Sequence, residues 1–250
     1  MSKPQIALQL YTLRDAMVED IPITLSRIAE LGFDFVESAF FPEGVTTQQA
    51  AAELRNAGLR VCSAHCEIPV GDQQEAVLEI VDAFDCDSVV WHGWPEDPDY
   101  ATVDGVKRLA VRYNEANAIC QAHGKRFGIH NHWWEFRDID GIYPYEILAE
   151  EMEPSIFFEI DTYWAKTAGV DPIPVLQMLG HRAPLIHIKD GPATIEGDMV
   201  AAGQGIMDIP AIIEASNDYA EWYIIELDRC ATDMFEAVAQ SRTYLSEVLS

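Results

Sequence analysis

IPITLSRIAELGFDFVES, residues 21–38, joins two kinds of periodicity through one glycine. Ile21, Leu25, Ile28 and Leu31 recur at helical spacing, and Gly32 follows where a helix C-terminus favours left-handed backbone. FVES, at 35–38, then has the length and β-rich character of a buried strand. A helix handing over to a strand is half of a strand–helix–strand unit, and repeated units of that kind build a parallel sheet.

The same plan recurs on both sides. Upstream lies QIALQL (5–10); downstream come RVCSA (60–64), SVVWH (88–92), RFGIHN (126–131), IFFEID (156–161), APLIHI (183–188) and WYIIEL (222–227). Between them run amphipathic stretches: TTQQAAAELRNAGLR, ending around Gly58, and VDGVKRLAVRYNEANAICQAHGK, stopping at Gly124. DMFEAVAQSRTYLSEVL closes the chain. Eight strand–helix alternations in 250 residues predict an α/β fold, a single (β/α)8 barrel over residues 1–250. A doubly wound open sheet is the rival, but LQLYTLRDAM carries no glycine after the first strand and so lacks a dinucleotide fingerprint. No linker or low-complexity tract marks a second domain.

Composition narrows the partners. With 49% hydrophobic residues the chain can bury a large core, yet it has no apolar run of about eighteen residues to span a membrane. MSKPQIALQL lacks the layout of a signal peptide, so a cytoplasmic location is expected. The 5 cysteines form no CxxC pair and read as reduced thiols; Cys62 and Cys66 flank His65, which a strand end explains without zinc. Against 42 Asp+Glu stand 16 Lys+Arg, a net charge of −26. Phosphodiester binding draws its affinity from basic surfaces, so nucleic acid is excluded as a partner, as is an anionic membrane. The charge serves solubility.

Barrels of this kind concentrate function at the C-terminal ends of their strands. Those ends carry Gln9, Glu37, His65, His92, His130 with His132, Asp161, His187 and Glu226, with Lys189, Asp190 and Asp228 just beyond. Each has a plainer reading: Glu37 as a buried acid paired to an arginine, His92 as a strand-end hydrogen bonder. His123 and His181 read as structural, and Glu221 and the helix acids as solvated faces. EID, HIKD and IELD closing three successive strands change the balance. Charges converging on one mouth are costly without a compensating cation. Carboxylates mixed with imidazoles suit Mn²⁺, Mg²⁺ or Co²⁺, and also permit Zn²⁺ or Fe²⁺.

EIDTYWAKTAGVDP (159–172), HIKDGP (187–192), GQGIMDIPAII (203–213) and IIELD (224–228), with LQLYTLRD and IHNHWWEF, resemble the sugar phosphate isomerase/epimerase family over nearly the whole chain. The resemblance implies a xylose isomerase-like barrel with one divalent ion per chain, Mn²⁺ first and Co²⁺, Mg²⁺ or Zn²⁺ as alternatives. In that family Glu, Asp, His and Glu from the last four strands hold the metal. Asp161, His187 and Glu226 map onto the last three. The fifth strand departs from the pattern: it ends on His130 where many members have glutamate, and Glu135 follows five residues on. Glu135 is preferred as the fourth ligand because another anion better balances a 2+ charge; His130 is the alternative. His130 and His132 then face the substrate, one of them as a base.

The resemblance further implies a metal-dependent isomerase or epimerase of a sugar or keto-sugar, working by proton abstraction through an enediolate. Glu226 would ligate and act as base, and Lys189 would donate to a developing oxyanion. His65, Gln9, His92 and Trp164 are the substrate-binding candidates, with Trp91 and Trp94 as further apolar wall, while Trp133, Trp134 and Phe136 can cap the barrel. The runner-up is a lyase or dehydratase acting on a keto-inositol or 3-keto-glycoside. A non-catalytic sugar-binding barrel comes third. A three-metal repair endonuclease conflicts with the charge. A phosphate substrate is disfavoured by the lack of a glycine-rich nest or an arginine pair. The expected partner is a small-molecule sugar, and a homo-oligomer is compatible with the fold.

Overall fold

A computed structural model describes residues 4–39 and 41–250; the first three residues, part of the stretch read for a leader, lie outside the described residues. Eight strands form: β1 (Gln5–Gln9), β2 (Phe35–Ser38), β3 (Arg60–Cys66), β4 (Ser88–Trp91), β5 (Arg126–His130), β6 (Phe157–Asp161), β7 (Leu185–Ile188) and β8 (Trp222–Ile225). Each pairs in parallel with the next, and β8 closes onto β1 through Ile6–Tyr223 and Leu8–Ile225. That closure decides for the barrel against the open sheet.

The helices are α1 (Arg14–Glu19), α2 (Ile21–Glu30), α3 (Thr47–Asn56), α4 (Gln74–Ala83), α5 (Val103–Ala122), α6 (Pro144–Glu151), α7 (Thr162–Thr167), α8 (Pro172–Leu179), α9 (Ile209–Ser216) and α10 (Met234–Val248). Most of them, α2, α3, α5 and α7–α10, start at a capping Asp or Thr side chain. Asp20 accepts from Ile23 N at 2.9 Å, and Thr46 with Gln49 forms a capping box. Past the helix ends, Gly32 and Gly124 take φ of +89° and +71°, a conformation costly for any residue with a Cβ. Among the described residues no helix is long and apolar enough to cross a membrane.

The main apolar core fills the space between sheet and helices, with Leu25, Ile28, Leu54, Val106, Leu148 and Ile213 among its members. A second, small cluster lies inside the barrel: Ala7, Cys62, Val90, Phe157, Leu185 and Ile224. Gly128 makes room there, because a Cβ at that position would stand 2.2 Å from the Phe157 ring. The β2–β3 register shifts by one residue, pairing Val36 with Val61 but Glu37 with Ser63. Such a bulge re-aims the strand. Cys62 therefore joins the apolar floor while Ser63 reaches Glu37 above it.

Candidate metal centre

Side chains two apart on a strand share a face, so away from the β2–β3 bulge the floor continues one rung higher. Above Gly128 stands His130; above Phe157 stand Glu159 and then Asp161; above Leu185 stand His187 and Lys189. Ile224 is followed by Glu226 and Asp228. Almost everything on this upper level is buried.

His130, Asp161, His187 and Glu226 each bring one ligand atom to within 4.8 Å of the others. Asp161 is fixed from two sides. Its Oδ1 caps α7 by accepting from Trp164 N at 2.8 Å. The Asn131 amide accepts from Asp161 N at 2.9 Å and donates to Asp161 O at 3.1 Å, carrying the β5–β6 pairing one step beyond the strand. The His187 ring is gripped at both nitrogens: Nδ1 lies 2.7 Å from Glu226 Oε2 and Nε2 2.7 Å from Glu37 Oε1. Glu37 is held in turn by Gln9 Nε2 at 2.7 Å and Ser63 Oγ at 2.5 Å, each donating to its carboxylate. A carboxylate on the far nitrogen fixes a histidine's tautomer and aims the other nitrogen at a metal.

This set fits a divalent ion. Asp161 Oδ2 and His130 Nδ1 are buried without a hydrogen bond of acceptable geometry, although Lys189 Nζ lies 2.9 Å from the former and Glu159 3.1 Å from the latter. Two imidazoles and two carboxylates are the mixed donor set that Mn²⁺, Co²⁺, Zn²⁺ or Fe²⁺ accepts. Directly below, Glu159 Oε2 lies 2.6 Å from His65 Nε2 and 3.2 Å from His187 Nε2.

Burial dominates the electrostatics. It pushes the Glu37 carboxyl up to about 7, helped by the Glu159 charge. It drives His130 and His132 well below the usual imidazole range and lowers His65. Burial also opposes the charge on Lys189, but Asp161, Asp228 and Glu226 outweigh it and hold the ammonium well above its ordinary value. For Glu226 burial is again opposed, by Lys189 and His187, and the carboxyl sits well below its usual range.

The structure departs from the sequence reading in places. His130, not Glu135, lies in the group with Asp161, His187 and Glu226. After Asn131 the chain enters a short 3-10 turn (Trp134–Phe136) that returns Glu135 onto its own backbone, where Oε2 accepts from His132 N at 2.8 Å. Burial raises this carboxyl to about 8. Gln9 does not face substrate space either: it is fully buried, its amide spent on Glu37 and on Tyr11 N. Glu37 itself pairs with His187 rather than with an arginine.

Above the ligand set opens a cavity of about 600 Å³. His65, His92, His130, His132, Lys189 and Glu226 line it, with Trp94, Trp133 and Trp164 as walls. His132 stacks on Trp134 at 4.3 Å, and His92 accepts from Trp94 N at 3.1 Å. Trp91 packs against the outer core instead. The cavity also holds Arg14 and Arg229, distant in sequence but carried by the adjacent strand ends of β1 and β8. That pairing is invisible in the linear sequence. Asp190, another strand-end acid, is structural: its carboxylate accepts from the backbone N–H groups of Gly191, Gly203, Gly205 and Met207, pinning the loop after β7. Glu159, Ser63 and Asn131 were not singled out from the sequence. The inward i, i+2 position of Glu159 beneath Asp161 was the available signal.

Residues 25–247 match the family model for the xylose isomerase-like TIM barrel, and the chain belongs to that family. Solved structures agree in fold. A sugar phosphate isomerase/epimerase from Parabacteroides distasonis superposes with a TM-score of 0.81 at 24% identity, covering 100% of this chain and 96% of that one. An L-ribulose 3-epimerase gives 0.73 at 16% identity, over 98% and 94% of the two chains. A probable 3-DHS dehydratase from Bacillus anthracis gives 0.72 at 14%, over 97% and 98%. No curated protein matches by sequence.

Proposed function

We propose that this protein is a divalent-metal-dependent isomerase or epimerase of a sugar or keto-sugar. The observation that carries the reading is the convergence of His130, Asp161, His187 and Glu226 beneath a cavity lined by imidazoles and tryptophans. Those four residues would hold a divalent cation, which would supply polarisation of a substrate carbonyl.

The chain's own groups supply the rest. Glu226, kept ionised by Lys189 and His187, takes the proton from the carbon beside the carbonyl. Protonated Glu226 then returns that proton to the neighbouring carbon, while His132, held neutral by burial, faces the cavity as an acceptor for a substrate hydroxyl proton. The Lys189 ammonium, 5.3 Å from the centre of the Trp164 ring, donates to a substrate oxygen at the cavity wall. His65 and His92 bind hydroxyls, and Trp94, Trp133 and Trp164 pack against the sugar face and exclude water. Arg14 and Arg229 bring sugars with an anionic group within the substrate range.

The size of the cavity and its aromatic walls support a second reading. There is room beside one sugar ring for a leaving group, so the same proton abstraction could end in elimination, as in a dehydratase or a lyase. Metal-stripped protein reloaded with Mn²⁺ and offered keto-sugars in D₂O tests both. Deuterium beside the carbonyl, with epimer or isomer formed, supports the first; an unsaturated product with a released fragment supports the second. A Mn²⁺-loaded protein that catalyses neither across a broad panel would sink the catalytic reading and favour a sugar-binding barrel.

A further inference from the structure

Lys189 is placed where the metal's own ligands are. Its Nζ lies 2.9 Å from Asp161 Oδ2 and 2.8 Å from Glu226 Oε2, both members of the metal set. Its third carboxylate, Asp228 Oδ2 at 2.8 Å, lies outside that set. The Lys189 side chain is 1% exposed, whereas that of Asp228 is 22% exposed and lines the cavity. A fully buried ammonium persists only where opposing charges repay its lost hydration. The converse also holds: Asp161 and Glu226, buried beside Glu37 and Glu159, need a cation of some kind.

We propose that Lys189 is an internal counter-cation that competes with the metal for Asp161 and Glu226 and passes to Asp228 when the metal binds. This rests on the metal reading above and adds a regulation of that site. A 2+ ion and an ammonium sharing the same two carboxylates repel each other across a few ångströms of low-dielectric interior. The lysine therefore keeps the metal-free protein folded and also lowers its affinity for metal. Asp228 gives the ammonium somewhere to go. Its own backbone is tied down by Arg14, whose Nη2 donates to Asp228 O at 2.7 Å. Retained there, the ammonium stays on the cavity wall, within reach of a substrate oxygen.

The test is titration calorimetry of Mn²⁺ into metal-stripped protein, with thermal unfolding of the same samples. K189M is expected to bind Mn²⁺ at least about tenfold tighter than the unmodified chain while unfolding at a lower temperature when metal-free. K189Q, polar but uncharged, should behave alike and serves if K189M does not fold. D228N should bind Mn²⁺ more weakly, because the ammonium then stays on Asp161 and Glu226. In a K189M background the D228N effect should shrink to within about twofold, the signature of a residue acting through another. Equal or weaker Mn²⁺ binding by K189M and K189Q overturns the competition. An undiminished D228N effect in the double variant overturns the hand-over to Asp228. If neither the unmodified chain nor the variants bind any divalent ion, the metal reading itself fails.

Discussion

The floor of the barrel and the level above it are built from the same strands, two residues apart, and could hardly differ more in chemistry. Below, Ala7, Cys62, Val90, Phe157, Leu185 and Ile224 close the interior with apolar contacts. One rung up, Glu37, Glu159, His187 and Glu226 crowd into a buried polar network. Full burial of a large apolar side chain stabilises by roughly 1.5–3 kcal/mol, whereas each unpaired buried charge costs more than that. The floor and the outer core thus offset the cost of the polar level above. Stability and function are stacked along one axis rather than divided between separate parts of the molecule.

That contrast is open to attack from both levels. Phe157→Ala removes the largest side chain of the floor and should cost about 3–5 kcal/mol in denaturant unfolding. It should leave Mn²⁺ affinity within about threefold; a large loss of metal binding would mean that the two levels are not separable. Asp161→Asn has the opposite profile. Its Oδ1 can still cap α7, and Lys189 keeps Glu226 and Asp228, so the metal-free protein should lose less stability than Phe157→Ala does, while calorimetry shows Mn²⁺ affinity down by more than about 100-fold, beyond the range typical of supporting residues. Glu37→Gln, acting through the His187 ring, should cost about 10–100-fold in Mn²⁺ affinity.

The smallest effect falls on the residue that the sequence favoured. Glu135→Gln should change Mn²⁺ affinity far less than His130→Gln does; the reverse order would restore Glu135 as a ligand. Its signature belongs to pH. Because burial raises the Glu135 carboxyl from 4.5 to about 8, the folded chain holds a proton there that the unfolded chain releases, and the contribution to stability is lost as pH rises through that window. Denaturant midpoints at pH 5 and pH 8 should therefore fall more for the unmodified chain than for Glu135→Gln.

Much of this was legible in the chain. Strand positions followed from apolar runs bounded by turn residues, and the helix ends at Gly32, Gly58 and Gly124 all adopt positive φ. Asp161, His187 and Glu226 stood out because each lies at or next to the end of a strand. What could not be read were relations across the barrel. Glu37 meets His187 over a separation of 150 residues, and Ser63 reaches Glu37 only because Cys62 is an extra residue in the β2–β3 pairing. The place of Glu135 could not be read either, because it depends on the turn that follows β5. Arg14 and Arg229 escaped because their proximity depends on barrel closure.

The two-residue alternation also bears on how the sheet finds its alignment. Phe158 and Ile160 point outward into the main core, between inward-facing Phe157, Glu159 and Asp161. Were β6 to pair one residue out of step, two carboxylates would be pressed against the helix layer and two apolar side chains would replace them inside. The same holds for His187 on β7 with Lys189 just past it, and for Glu226 and Asp228 just past β8. Mispaired chains are thus penalised several times over, so the polar groups gathered at the barrel mouth also act as registration marks while the cylinder closes.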